Sequence, residues 1–463
     1  MKRNVVPLTL MAIAAWHLLG ILPSRAQDPR QWRPAVVGTA PMDGVMQFEP
    51  NWQPTVMPSM MPTLTPNVYP PGMIAAAYGA PSAETPGCTD PVQGCQACQG
   101  NGCSLCRGDW LRDRFGVAGL WGGVEFLHVW AHGRHVPPLV TTSPDGTPRG
   151  SAGVLPGATI LFGDERIGED RQSAGRLTFG VWFDDCENTG VAVRFFAIEG
   201  ANDGIIVGSN STGSPILGVP FFNVGLGAND ALLASFPNEQ VGFIDVRTSQ
   251  DVIMAEPLLR AMLLRGNGYR LDLIGGYLYS QVSDGLDLRL NTTTIDPGGI
   301  FPVGSNFDFV DRFDAKNDFH GATAGLMGQL RHGRWRIEGL GKVSFGNMRQ
   351  VLTVSGVTTV DIAGGGGPTT SPGALFSQPS NIGTFVRNET TYVPEAYLGM
   401  GYQVNRCLEL TVGYSFIYWA DIITAGDQID TAVDFSGGTR PVVNLRDTDF
   451  WVQGVSLGAS WNY

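Results

Sequence analysis

The C-terminal stretch FWVQGVSLGASWNY, residues 450–463, decides the fold. Trp451, Val455, Leu457, Ala459, Trp461 and Tyr463 fall on one side of a two-residue period. Gly454, Ser456, Gly458, Ser460 and Asn462 fall on the other, with Val452 and Gln453 as exceptions near the start. A period of two is that of a strand with unlike faces. An apolar, aromatic face suits lipid and a small, polar face suits a lumen, so the segment reads as one strand of a transmembrane barrel. Closure of such a barrel is obligatory, because an open sheet edge in hydrocarbon leaves backbone groups unpaired at several kcal/mol each. An amphipathic strand that ends on an aromatic residue also has the form read by barrel assembly machinery, which makes the Tyr463 strand the expected contact with that partner.

Upstream, nine more segments show the same alternation, at about 119–131, 174–184, 189–199, 253–265, 269–284, 318–331, 334–346, 391–404 and 407–419. The connections between the ten run long and short by turns: 132–173, 185–188, 200–252, 266–268, 285–317, 332–333, 347–390, 405–406 and 420–449. Short periplasmic turns, long extracellular loops, an even strand number and both ends on the short-turn side belong together in an outer-membrane barrel. Nothing in a soluble sandwich forces loops to alternate in length. The expected architecture is therefore all-β: a closed antiparallel transmembrane barrel of about ten strands, within a range of eight to twelve.

Composition agrees. The chain has 62 glycines in 463 residues and 16% charged residues, against usual shares of about 7% and about a quarter. A net charge of −12 argues against nucleic acid, which needs clustered cations. At the N-terminus, Lys2 and Arg3 precede an apolar run from Val5 to Leu22 and a small-residue site at Ser24–Arg25–Ala26, the pattern of a cleavable secretory signal. No later apolar run reaches the roughly 18 residues of a membrane-spanning helix. The expected organisation is a signal peptide over 1–26, a disordered Pro- and Met-rich arm over 27–107 that stays in the periplasm, and an outer-membrane barrel over 108–463. Outer-membrane lipid is the expected surrounding, and a homo-oligomer is compatible with it.

Several strings in the barrel region resemble the beta-barrel porin-7 family, outer-membrane proteins typical of planctomycete bacteria. They are PLVTTSPDG from Pro138, LFGD from Leu161, DRFDAKNDFHG from Asp311, GNMRQ from Gly346, PSNIG from Pro379, VPE from Val393, YSFIYWADI from Tyr414, GDQID from Gly426 and DFWVQGVSLG from Asp449. The resemblance implies a porin-like barrel and supplies neither a substrate nor functional residues.

Chemistry-bearing residues divide into three groups. Glu125, Arg194, Arg270, Asp272, Arg336, Glu338, Lys342, Glu395 and Glu409 are expected to face the lumen. There they form either a constriction that selects solutes by charge or a self-paired filling, which the small bore of a ten-strand barrel favours. The function expected is passage of small solutes or ions through a narrow charged lumen; the alternative is a non-conducting barrel whose long loops serve adhesion or envelope contacts. In the second group, Cys88, Cys95, Cys98, Cys103 and Cys106 cluster before the barrel. Cys95, Cys98, Cys103 and Cys106 have the ligand types of a zinc site, but an oxidising compartment favours disulfides; Cys186 and Cys407 cannot be paired from sequence. The third group, His128, His132 and His135 with the loop acids Asp421, Asp427 and Asp430, shows no spacing that defines a metal site or a catalytic set. No cofactor and no enzymatic activity are expected.

Overall fold

A computed structural model describes residues 118–463 except Asp185, Arg406, Gly437 and Tyr463, and the side chain of Ala201. The expected signal peptide, the arm, its cysteine cluster and the terminal Tyr463 lie outside the described residues. In chain order the strands are β1 Gly119–Ala131, β2 Arg134–Val136, β3 Val140–Ser143, β4 Thr159–Phe162, β5 Glu165–Ile167, β6 Gln172–Trp182, β7 Thr189–Gly208, β8 Ile216–Asn223 and β9 Ala228–Ser235. They continue with β10 Gln240–Gly266, β11 Tyr269–Thr294, β12 Asn306–His332, β13 Trp335–Asp361, β14 Thr369–Pro372, β15 Gly383–Gln403, β16 Leu408–Ile422, β17 Ala432–Val433 and β18 Thr448–Asn462.

Ten of these form an antiparallel ring in the order β12, β11, β10, β7, β6, β1, β18, β16, β15, β13, closed by pairing of β13 with β12. The first and last ring strands are neighbours, with Trp121 opposite Asn462 and Val129 opposite Gly454. Every ring strand carries a large exposed apolar side chain, namely Phe126, Phe179, Phe195, Leu259, Leu273, Leu326, Phe345, Leu398, Leu410 and Leu457. A continuous apolar belt of this extent is incompatible with a water-facing surface. Along β11 the outward face is apolar from Tyr269 to Tyr279 and polar from Gln281 onward. Ten steps at about 3.3 Å, tilted by about 40°, give a band roughly 25 Å tall, the height of an outer-membrane barrel's lipid contact.

The sequence expectation placed the membrane halves of these strands well and ended six of them too early on the extracellular side. β7, β10, β11, β12, β13 and β15 run past their expected outer limits, and β10 to β13 reach 26 or 27 residues. The physical reason is an inversion of polarity. Within the membrane β12 points Leu326 and Ala324 outward and Thr323 inward; above it Arg312, Asp314 and Lys316 point outward while Phe313 and Ala315 are buried. The segments VGFIDVRT, from Val241, and VLTVSGVTTVD, from Val351, fall within the expected loops 200–252 and 347–390 and are the upper parts of β10 and β13.

The tall wall of β10 to β13 needs a cover for its inner face, and the loops provide it. β3, β4, β8, β9 and β17 form a five-stranded sheet. Leu217, Val219 and Phe221 of β8 join one apolar cluster with Ile244 and Val246 of β10, Leu286 and Leu288 of β11, Phe313 of β12, and Leu352 and Val354 of β13. At about 25 cal/mol per Å² of apolar surface removed from water, such a cluster is sufficient to hold a loop domain against the wall.

Candidate functional site

The lumen holds the chemistry. All nine residues expected there point inward, and the ring adds Arg176 of β6 and Glu256 and Arg260 of β10. These last three were missed because MAEPLLRAMLLR, residues 254–265, is apolar on both faces and contains a register shift between Met262 and Leu264, which blurs the period of β10, and because Arg176 lies in a short segment rich in small residues. Parity from the exposed Leu259 would have found Glu256 and Arg260.

The twelve charges pair in layers. At the periplasmic mouth, Arg260 Nε donates to Asp272 Oδ2 at 2.5 Å, and Arg270 Nε to Asp272 Oδ1 at 2.7 Å. Trp121 and Trp182 stack at 5.7 Å, with the Arg260 and Arg270 guanidinium groups 4.9 and 4.7 Å from the Trp182 ring. Gly180 and Gly190 make room for these indoles, since a methyl at either position would overlap a ring. A cavity of about 110 Å³ here is lined by Ala118, Trp121, Trp182, Asp184, Glu187 and Asn462 among others. Nearby on β13, Arg336 bonds Glu338 at 2.9 Å and Glu409 at 2.8 Å. Next up that strand, Lys342 pairs with both Glu256 and Glu395, the latter at 3.0 Å. Arg194 also pairs with both, 3.2 Å from Glu256. Glu125 completes the set, 3.2 Å from Arg176 and accepting from Ser456 Oγ at 2.8 Å. Among the described residues, the cations Arg176, Arg194, Arg260, Arg270, Arg336 and Lys342 thus meet an equal number of carboxylates, Glu125, Glu256, Asp272, Glu338, Glu395 and Glu409. A charge-selecting ring carries an excess of one sign; this set is balanced.

Above the charges lies an apolar layer of Leu127, Phe196, Met254, Leu278, Phe319, Met348, Val393, Ile417, Trp419, Phe450 and Val452. Val452 is here the inward member of an unbroken alternation, and Gln453, outward, accepts from Tyr414 Oη at 2.6 Å. Trp419, with 0% exposure, crosses the bore so that its Nε1 donates to Ser280 of β11 at 3.0 Å.

Still higher, inward polar side chains grip the segment Ala420–Ala425, which follows Trp419. Thr391 of β15 donates to Ala420 O at 3.1 Å, and Gln350 of β13 to Asp421 O at 2.6 Å. Asn317 of β12 bonds both Ile423 N and Ile423 O at 2.8 Å, and Asp284 of β11 accepts from Ala425 N at 2.8 Å while pairing with Arg134. Asp311 of β12 similarly accepts from Leu375, Phe376 and Ser377 main-chain N–H groups at 3.2, 3.0 and 2.7 Å. Burial pushes the Asp311 carboxyl up to about 6, against the opposing pull of these donors.

The histidines do not converge. His132 bonds Asp449 O at 3.1 Å and Arg166 at 2.9 Å, His135 lies 3.5 Å from Asp427, and His128 packs edge-on to Phe126. The loop acids are staples: Asp421 accepts from Thr391, Asp427 from Thr424, and Asp430 from Arg440 and Val442 N. Among the described residues no group of three or more His, Cys, Asp or Glu could hold a metal ion. Cys186, in the turn between β6 and β7, and Cys407, in the turn between β15 and β16, are both disulfide-bonded.

A ten-strand ring with an outward apolar belt and short turns at one end is an outer-membrane β-barrel. The chain belongs to the family described as "Putative beta barrel porin-7", which matches residues 121–463. No curated relative matches. Solved structures similar to it include the outer membrane protease OmpT from Escherichia coli, at 10% identity, TM-score 0.34, covering 74% of this chain and 97% of that one. A FadL homologue from Pseudomonas aeruginosa follows at 8% identity, TM-score 0.21, with 74% and 90% covered. The toluene transporter TodX from Pseudomonas putida is similar at 12% identity, TM-score 0.18, with 74% and 89% covered.

Proposed function

We propose that this barrel is a closed anchor in the outer membrane that displays a folded, loop-built domain on the cell surface, with the N-terminal arm in the periplasm. The observation that carries this reading is the apolar layer around Trp419: ions crossing it would lose hydration with no polar partner in exchange, at a cost of many kcal/mol. The balanced charges beneath it support the same reading, because paired groups leave no field to concentrate a solute of either sign. The upper domain, framed by β10 to β13, then becomes the working part, and contacts outside the cell fall to its loops.

The test is single-channel recording of the refolded chain in planar bilayers, with folding verified by a heat-modifiable shift on gels. Silence is expected even in concentrated salt. Defined conductance steps that change ion preference when Lys342 or Glu338 is neutralised would overturn the closed reading and restore solute passage.

A further inference from the structure

We propose that the cysteine cluster Cys88–Cys106 is joined by disulfides to two of the barrel's periplasmic turns, at Cys186 and Cys407. Both turn cysteines are disulfide-bonded, and their surroundings hold them apart. Cys186 O accepts from Arg265 Nη1 of β10 at 2.6 Å, whereas Cys407 O accepts from Asn462 N of β18 at 3.3 Å. Between β10 and β18 in the ring stand β7, β6 and β1. Four inter-strand steps at about 4.8 Å separate the two anchors by well over 10 Å, whereas a disulfide needs Cα atoms within about 7 Å. Mutual pairing is therefore disfavoured, and the remaining cysteines of the chain are the five at 88, 95, 98, 103 and 106.

Reach is no obstacle. The chain enters the barrel on the same face as both turns, where Ala118 N donates to Trp182 O at 2.8 Å. Cys106 lies twelve residues before Ala118, and twelve extended residues span about 40 Å, more than the mouth of a ten-strand barrel. Each bond forms by oxidation of two thiols, the two electrons and two protons passing to a disulfide-bearing oxidant of the periplasm, which leaves as its dithiol. The segment that carries the cysteine cluster is then fastened to the barrel at two points.

The experiment inserts a site-specific protease sequence after Gly108 in the full chain and cleaves the folded protein in detergent. On boiled gels without reductant the arm stays with the barrel, and with dithiothreitol it leaves. Cys186→Ser and Cys407→Ser singly retain the arm, and the double variant, with its fold checked by the heat-modifiable shift, releases it. Release of the wild-type arm without reductant, or a disulfide-linked dimer of whole chains, overturns the proposal. Peptide mapping of the uncut wild-type protein gives the independent reading: a linked peptide containing Cys186 and Cys407 alone refutes it.

Discussion

Arg194 and Glu395 are ion-paired across the full diameter of the barrel, from β7 and β15, with four strands between them in either direction round the ring. Each also touches a second partner, Glu256 and Lys342 respectively. Replacing one member of such a buried set strands its partners. Arg194→Met is expected to lower stability by about 3–5 kcal/mol, because Glu256 and Glu395 then share Lys342 alone. Arg194→Met with Glu395→Gln recovers most of it. The measurement is the urea midpoint of the heat-modifiable band, and equal losses in the single and double variants would contradict the pairing.

Trp419 fills the bore in a different way. Trp419→Ala removes a fully buried indole and is expected to cost about 3–5 kcal/mol. Trp419→Phe keeps most of the volume, loses the bond to Ser280 and costs about 1 kcal/mol. Urea titration distinguishes them, and indistinguishable losses would show that the space collapses around either side chain.

The clamp at Asn317 supports a local prediction. Asn317→Ala frees both the N–H and the carbonyl of Ile423, so Ala420–Ala425 should exchange its amide hydrogens faster by about 10-fold or more, from about 2 kcal/mol of lost bonding. Exchange in the membrane portion of β11 should be unchanged; acceleration throughout would mean global loosening.

Asp311 sets a pH dependence of unusual sign. Its carboxyl sits at about 6 against an ordinary 3.8 because burial disfavours the anion. The folded state therefore binds this proton more tightly than the unfolded state. Stability of the extracellular domain rises as pH falls from about 7 through about 6 and levels off below about 4, by up to roughly 3 kcal/mol. Asp284, also pushed up by burial, acts in the same direction. Asp311→Asn removes its share of the slope. Limited proteolysis of the 374–381 loop at about pH 7 and about pH 5 reads it, and faster cutting of the native chain at the lower pH would refute the assignment.

The membrane half of the fold was legible because two unlike solvents impose one rule on every strand: apolar outward, small or charged inward. Lys342, Glu395 and Arg194 were visible on that rule, and so was the loop-length alternation. What stayed hidden were properties that depend on assembly. Arg312, Asp314 and Lys316 read as loop because they are charged, although alternation continues through Phe313 and Ala315 with the faces exchanged. That Arg194 meets Glu395, and that Trp419 reaches Ser280, depends on ring closure, which brings together residues 201 and 139 positions apart. Glu256 was masked by the apolar residues on both faces around it.

The exchange of faces between Tyr279 and Gln281 acts as a waterline. If the barrel sank by a few residues, Asp287, Arg289 and Arg312 would be drawn toward acyl chains; if it rose, Tyr277 and Tyr279 would meet water. Charged side chains on a lipid face cost little near the interface and about 2–4 kcal/mol at mid-depth, so the penalty steepens with displacement in one direction while lost apolar contact opposes the other. The barrel is thereby moored at a fixed depth, which also sets the height of the surface domain above the lipid.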